Sequence, residues 1–385
     1  MSLAGVLEAH RVIVCVGSGG VGKTTTAAAL GVRAAMSGKR VLCLTIDPAK
    51  RLANSLGITE MRTEEQEIPR ELFTAQGLEC KGVLYAMMLD TKRTFDELVT
   101  KYASTPERRD RILANKIYRY MSTSLAGTQE YMAMEKLFAV RDDERFDLVV
   151  LDTPPTSNAL DFLDAPERLV GAIDSPAMRW FIQAFESAGK LSLGVVGRGA
   201  AFLLRGLSKF TGASFLDEVA ALVTDLNELF GGFRDRARQV YDGLRKPDVA
   251  FIVVTSPNPL AVAEASFLGK RLFEAGMEHD GFVVNAVHPL LQEPDAGTDA
   301  LAREAARVLP QGVDPKVAVR KMRRALDDER VRAVADRIEA NRVHARVGKD
   351  APYVEVPAFD EDVHDLRGLA RVASYLVGEA GEEAS

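Results

Sequence analysis

Residues 17–25 read Gly-Ser-Gly-Gly-Val-Gly-Lys-Thr-Thr, which fits G-x-x-x-x-G-K-[ST]. Glycines in this pattern let backbone N–H groups turn inward around phosphate oxygens without Cβ clashes, and a following helix adds the positive end of its dipole. Lys23 can reach the β and γ phosphates, and the Thr24 hydroxyl is suited to ligating Mg²⁺. The candidate phosphate site is therefore Gly19, Gly20, Val21, Gly22, Lys23, Thr24 and Thr25. A chance glycine-rich turn would lack the strand before it, the helix after it and the Lys-Thr pair.

Two acids at expected strand ends extend that chemistry. The run Phe146-Asp147-Leu148-Val149-Val150-Leu151-Asp152 is an apolar strand closing on a carboxylate, as needed to hold Mg²⁺ through its water shell. Asp152 could instead cap the next helix. The stretch Thr153-Pro154-Pro155-Thr156-Ser157-Asn158 is small, polar and proline-stiffened, which suits a loop that senses the γ-phosphate. Asp47, in Thr45-Ile46-Asp47-Pro48-Ala49-Lys50-Arg51, ends another strand. Ligands of such sheets bind at the carboxyl ends of strands, so Asp47 can orient an attacking water; Asp before Pro is equally an ordinary helix start.

The elements that must position these groups are legible as apolar runs. Residues 11–17 form a continuous, β-branched run, as in a parallel strand buried on both faces. A helix over Lys23 to Met36, stopped by Ser37-Gly38, should follow. Further strands are expected at 40–46, 82–89, 147–152, 248–255 and 280–286, alternating with helical patterns. The fold class is therefore α/β, a mostly parallel sheet flanked by helices. Residues 91–145 and 158–246 carry helical patterns too long for simple crossovers and are expected to form an inserted helical subdomain. The sheet core is then drawn from 1–90, 146–157 and 247–377 of one domain, with a disordered acidic tail over 378–385. No second copy of the phosphate motif occurs.

Composition excludes several classes. The 385 residues are 47% hydrophobic, 7% aromatic and 27% charged, an ordinary globular balance rather than disorder or collagen. With 49 basic and 55 acidic residues the net charge is -6, which argues against coating nucleic acid. Cys15, Cys43 and Cys80 form no C-x-x-C pair, so no zinc is expected, and no signal peptide or membrane span is legible. A cytoplasmic protein, at most peripheral at a membrane, is expected.

In order and spacing, Gly19 to Thr25, Asp47-Pro48-Ala49, Asp152-Thr153-Pro154-Pro155-Thr156 and Leu160-Asp161-Phe162-Leu163 resemble the ArsA-type ATPases. That family includes the arsenite-pump ATPase and the ATPase that targets tail-anchored membrane proteins. The resemblance runs from about residue 11 to 375. It implies a P-loop NTPase fold, ATP and Mg²⁺ as ligands, a homodimer or fused pseudo-dimer with nucleotide near the interface, and Asp47 as the residue that positions the hydrolytic water. For this single-copy chain a homodimer, or a heterodimer with a paralogue, is expected. Asn285 looks like the family's adenine-reading Asn, and Pro357 and Phe359 look like its adenine-side loop. The chain departs from the family at Ser18, where the family's signature lysine would reach across a dimer, and at Ser157-Asn158, where Gly-His is usual. Lys50 or Arg51 can supply the missing charge.

The expected helical insertion carries apolar stripes. Met178, Phe181, Ile182 and Phe185 recur at helical spacing beside Trp180, and Leu191 to Phe210 sets Arg198, Arg205 and Lys209 opposite Val196, Ala200, Leu203, Leu204 and Leu207. Tyr131, Met132, Met134, Leu137 and Phe138 add a Met-containing stretch. Either these stripes form a groove for an apolar helix or membrane-protein client, or they are the subdomain's own core. An anion-efflux subunit and a surface-organising partition ATPase are the other destinations for such a switch. Lys316 to Arg324 holds five basic residues in nine without aromatics, as in a solvated helix face.

Overall fold

Eight strands pair into one sheet in the order β3-β4-β2-β5-β1-β6-β7-β8 in a computed structural model. It describes residues 2–46, 51–124, 128–153, 235–277, 279–347 and 351–379, with isolated positions from Ala165 to Asp225. The strands are β1 (Val12–Val16), β2 (Arg40–Thr45), β3 (Gln66–Glu67), β4 (Val83–Met88), β5 (Leu148–Asp152), β6 (Val249–Thr255), β7 (His279–Val287) and β8 (Tyr353–Pro357). All pairings are parallel except β3 with β4. The chain steps outward from β1 to β2 and β4, returns through β5, and leaves on the other side through β6, β7 and β8. Such a reversal opens a crevice at the carboxyl ends of the strands.

The apolar runs form strands because both faces of the sheet are covered. Val12, Val14 and Val16 enter one core, and Ile13 and Cys15 enter the other. The second core lies beneath α1 (Ala4–Ala9), α2 (Lys23–Met36), α3 (Arg51–Ser55), α4 (Arg70–Thr74) and the last helix. The first lies beneath α5 (Thr91–Tyr102), α6 (Pro106–Ala114), α7 (Lys116–Ser124), α8 (Thr128–Arg141), α9 (residues 235–244), α10 (Pro259–Glu274) and α12 (Pro315–Val347). The remaining helices among the described residues are α11 (Thr298–Ala305), which packs on α12, and α13 (Leu366–Val377), which packs on α2.

Side-chain caps start several helices where the sequence supplies them. Asp90 caps α5, Thr105 caps α6 with Pro106 behind it, Asn258 caps α10 and Asp365 caps α13. Helix α2 differs: its N-cap is Gly22, which has no side chain to cap the first N–H groups. Residues Gly22 to Thr25, at that end of the helix, line the crevice.

Six strands coincide with the expected runs; β3 and β8 do not. Pro357, expected in a loop, ends strand β8, where it is tolerated because β8 is the sheet edge. The Met-containing stretch on α8 is core rather than groove: Tyr131, Met132, Met134 and Leu137 are buried, continuous with the core of the sheet. The stripes at 178–185 and 191–210 lie outside the described residues. Of the expected disordered tail, Gly378 caps α13 with φ 79° and Glu379 pairs with Arg33; 380–385 lie outside the described residues. Among the described residues no helix is long and apolar enough to cross a membrane.

Candidate active site

The glycine loop joins β1 to α2 with close neighbours at both ends. A Cβ on Gly17 would sit 2.1 Å from the Val254 carbonyl oxygen, and one on Gly22 would sit 2.0 Å from Asn285 Nδ2. Gly22 also has φ 95°, a left-handed conformation that favours glycine. Lys23 opens α2, is buried, and donates from Nζ to the Ser18 carbonyl at 2.7 Å. The lysine thus bends back over its own loop, at the uncapped helix end. Val21 is buried in the core, and Gly19 is exposed at the turn.

Asp152 lies at the bottom, fully buried, because β5 runs between β1 and β2. The parallel register sets it level with Cys15 on one side and Thr45 on the other. Its Oδ2 accepts from Thr24 Oγ1 at 2.8 Å and from Thr45 Oγ1 at 3.0 Å. Thr153 Oγ1 donates to the Cys15 carbonyl at 2.8 Å, fixing the strand end. A carboxylate and a hydroxyl in contact, both hard oxygen donors, fit Mg²⁺ with its water shell. Burial raises the Cys15 thiol well above its usual value and pushes Cys43 up to about 12, with the Asp152 charge adding to both shifts. Both cysteines are therefore neutral packing groups, on strands separated by β5.

Above the loop lies a cleft of about 650 Å³, lined by Gly20, Gly22, Lys23, Thr24 and Thr25 on one side and by Asn285, Pro357 and Phe359 on the other. A bulge between Val284 and Val287 ends the regular pairing of β7. Within it Ala286 has φ 59°, and Asn285 is aimed at the loop, its Nδ2 donating to the Val21 carbonyl at 3.1 Å. Phe359 is held by the Arg371 guanidinium, 4.3 Å from its ring centroid, and by Tyr375 at 5.9 Å. Arg51, at the start of α3, also lines the cleft. Asp47, Lys50 and residues 154–164 lie outside the described residues.

Sequence reasoning missed three contributors. Thr45 shares Asp152 with Thr24, a relation that needs the β2–β5 register. Ala286 shapes the bulge, and Arg371 braces Phe359 from α13. The only sequence signal among these was that Thr45, like Asp152, ends a strand.

A parallel sheet with a glycine loop after its first strand, a buried lysine at an uncapped helix end and a Thr–Asp pair beneath them defines a P-loop nucleoside triphosphatase. Over residues 10–306 the chain matches the family model described as anion-transporting ATPase, and it belongs to this ArsA ATPase family and is an ATPase. It is 24% identical to the ATPase GET3 of Malassezia globosa, over 95% of this chain and 90% of that protein. It is 26% identical to a putative arsenical pump-driving ATPase 1 of Aquifex aeolicus, over 72% of this chain and 64% of that protein. It is also 26% identical to the ATPase get3 of Schizosaccharomyces japonicus, over 72% of this chain and 74% of that protein.

Proposed function

We propose that this chain is a Mg²⁺-dependent ATPase that works as a dimer. Its nucleotide state drives a helical subdomain to bind or target a hydrophobic, membrane-protein client. The observation that carries the nucleotide part is the convergence of Thr24 and Thr45 on buried Asp152, beneath Lys23 and the uncapped N-terminus of α2. Lys23 and the amides of Gly19 to Thr25 hold the phosphates, Lys23 leaving the Ser18 carbonyl to do so. Thr24 and Asp152 hold the metal, which when bound neutralises charge on the β- and γ-phosphate oxygens. Asp47 orients the water for attack, and Asn285, Pro357 and Phe359 flank the base. Arg51, in the cleft, supplies the charge that Ser18 lacks, with Lys50 beside it in sequence.

The switch and its client rest on the family. The relatives carry both GET3 and arsenical-pump names, and the choice of a targeting role over an anion pump rests on the buried, neutral Cys15 and Cys43, which point away from a thiolate site for a metalloid. The sheet core then serves as the motor, and residues 91–145 and 158–246 serve as the moving subdomain, in a cytoplasmic protein that meets membranes through its client. Purified Lys23→Ala protein should lose nucleotide binding or turnover, whereas Asp47→Asn should bind ATP and stall. Normal turnover by Asp47→Asn would remove that residue from the mechanism. Capture on ATP-loaded Asp47→Asn protein should recover an apolar client, and recovery of self-association alone would sink the targeting role.

A further inference from the structure

Helix α12 has one face that packs inward and one that is exposed among the described residues. Val319, Ala333, Asp336, Ala340, Val343 and Val347 are buried. On the opposite side Val317, Arg320, Arg324, Asp327, Val331, Val334 and Ile338 recur at alternating steps of three and four, and every one is exposed. That is the spacing of a coiled-coil seam. Val331 is 71% exposed, Val334 53% and Ile338 51%, and Val313, one step before the helix, is 44% exposed. A merely solvated face would carry polar groups at these four places.

We propose that this seam pairs antiparallel with the seam of a second copy of this chain, about a two-fold axis between Ala325 and Leu326. In that register Val313 faces Ile338 of the second copy, Val317 faces Val334, Arg320 faces Val331 and Arg324 faces Asp327, each twice by symmetry. Charge selects the arrangement. A parallel pair would stack Arg320, Arg324 and Asp327 each on itself. Sliding an antiparallel pair by one heptad sets Arg320 against Arg324, or Asp327 against Val331. Only the stated register joins Arg324 to Asp327, and neither residue has an ion pair among the described residues. Arg320 can lay its stem on the valine and keep its head in water.

The flanks agree with this arrangement. Lys321 and Asp328, both exposed, lie beside the seam where each can approach the other's mate. Arg323, Arg330 and Arg337 on the other flank are held by their own chain, through the Ala296 carbonyl at 2.6 Å, Glu293 at 3.2 Å and Glu355 at 2.7 Å. These ties also fix the helix against the body, so pairing orders little new chain. From Val317 to Ile338 the helical part of the seam is roughly 30 Å long.

This surface does not depend on the nucleotide site, so the test is run on the full chain without nucleotide or divalent metal. By sedimentation velocity at micromolar concentrations the parent should self-associate, less so as salt rises. Arg324→Asp and Asp327→Arg, each creating two like-charge contacts, should each raise the dimer dissociation constant about tenfold or more. Mixing the two variants, or combining both changes in one chain, should restore association, because both cases rebuild two opposite-charge contacts. Lys23→Ala protein should associate like the parent, which separates this interface from any dimer made by nucleotide closure. A monomeric parent, variants that sediment as the parent does, or failure of the mixture to recover would each overturn the proposal.

Discussion

Gly22→Ala, measured with and without Asn285, probes how the cleft is held open. At φ 95° an alanine is strained by about 1–2 kcal/mol. Its Cβ would also fall 2.0 Å from Asn285 Nδ2 and 3.1 Å from Asn285 Cγ, so the amide must move and give up its bond to the Val21 carbonyl. Losing that bond adds about 1 kcal/mol. Gly22→Ala in the parent is therefore expected to cost about 2–3 kcal/mol, and in Asn285→Ala protein, where no amide is displaced, about 1–2 kcal/mol. Asn285→Ala alone should cost about 1 kcal/mol. Urea unfolding of the four proteins, followed by circular dichroism, gives the coupling as a double-mutant cycle. Equal costs of Gly22→Ala in the two backgrounds would refute the packing of Asn285 on the loop.

Three further outcomes are expected. Glu135→Ala should destabilise by about 3 kcal/mol in urea unfolding, because the Arg236 guanidinium, bonded to Glu135 at 2.7 Å, would remain buried without its counter-charge; an unchanged midpoint would remove the pair from the account. Arg40 holds the Asp147 carboxyl down at about 2, so this pair adds stability above the usual carboxylate value of about 4. That contribution is lost as pH falls towards 2. The gap between parent and Asp147→Asn should thus close between about pH 4 and pH 2, and should stay below about 1 kcal/mol because both side chains are more than a third exposed. A gap that widened on acidification would reverse the argument. Phe359→Ala should raise KM for ATP about tenfold with a smaller effect on kcat, the size of one lost base–aromatic contact; unchanged KM would place the base elsewhere.

The strands differed in legibility for a physical reason. Strands β1, β2, β5 and β6 are almost wholly buried, so each is a continuous apolar run that stands out in sequence. Strand β8 is an edge strand, half-buried in alternation, and ends in Pro357, so it reads as loop. Strand β3 has two residues and no pattern to detect. The apolar stretch on α8 was ambiguous because a groove and a core have the same composition, and only packing separates them. On α12 the seam was hidden for the opposite reason: its basic run from Lys316 to Arg324 resembles an ordinary solvated face.

By itself, the sequence determined the local chemistry: a glycine loop that can only turn where glycine is allowed, a lysine and threonine at fixed offsets from it, and carboxylates at strand ends. These are short-range facts, set by backbone sterics and by burial of runs a few residues long. The tertiary structure decided which of those groups meet. Thr24, Thr45 and Asp152 share one carboxylate oxygen because β5 lies between β1 and β2, and Asn285 reaches the loop because a bulge turns the end of β7 towards it. Strand order and register join residues more than a hundred positions apart, and no spacing along the chain encodes that distance.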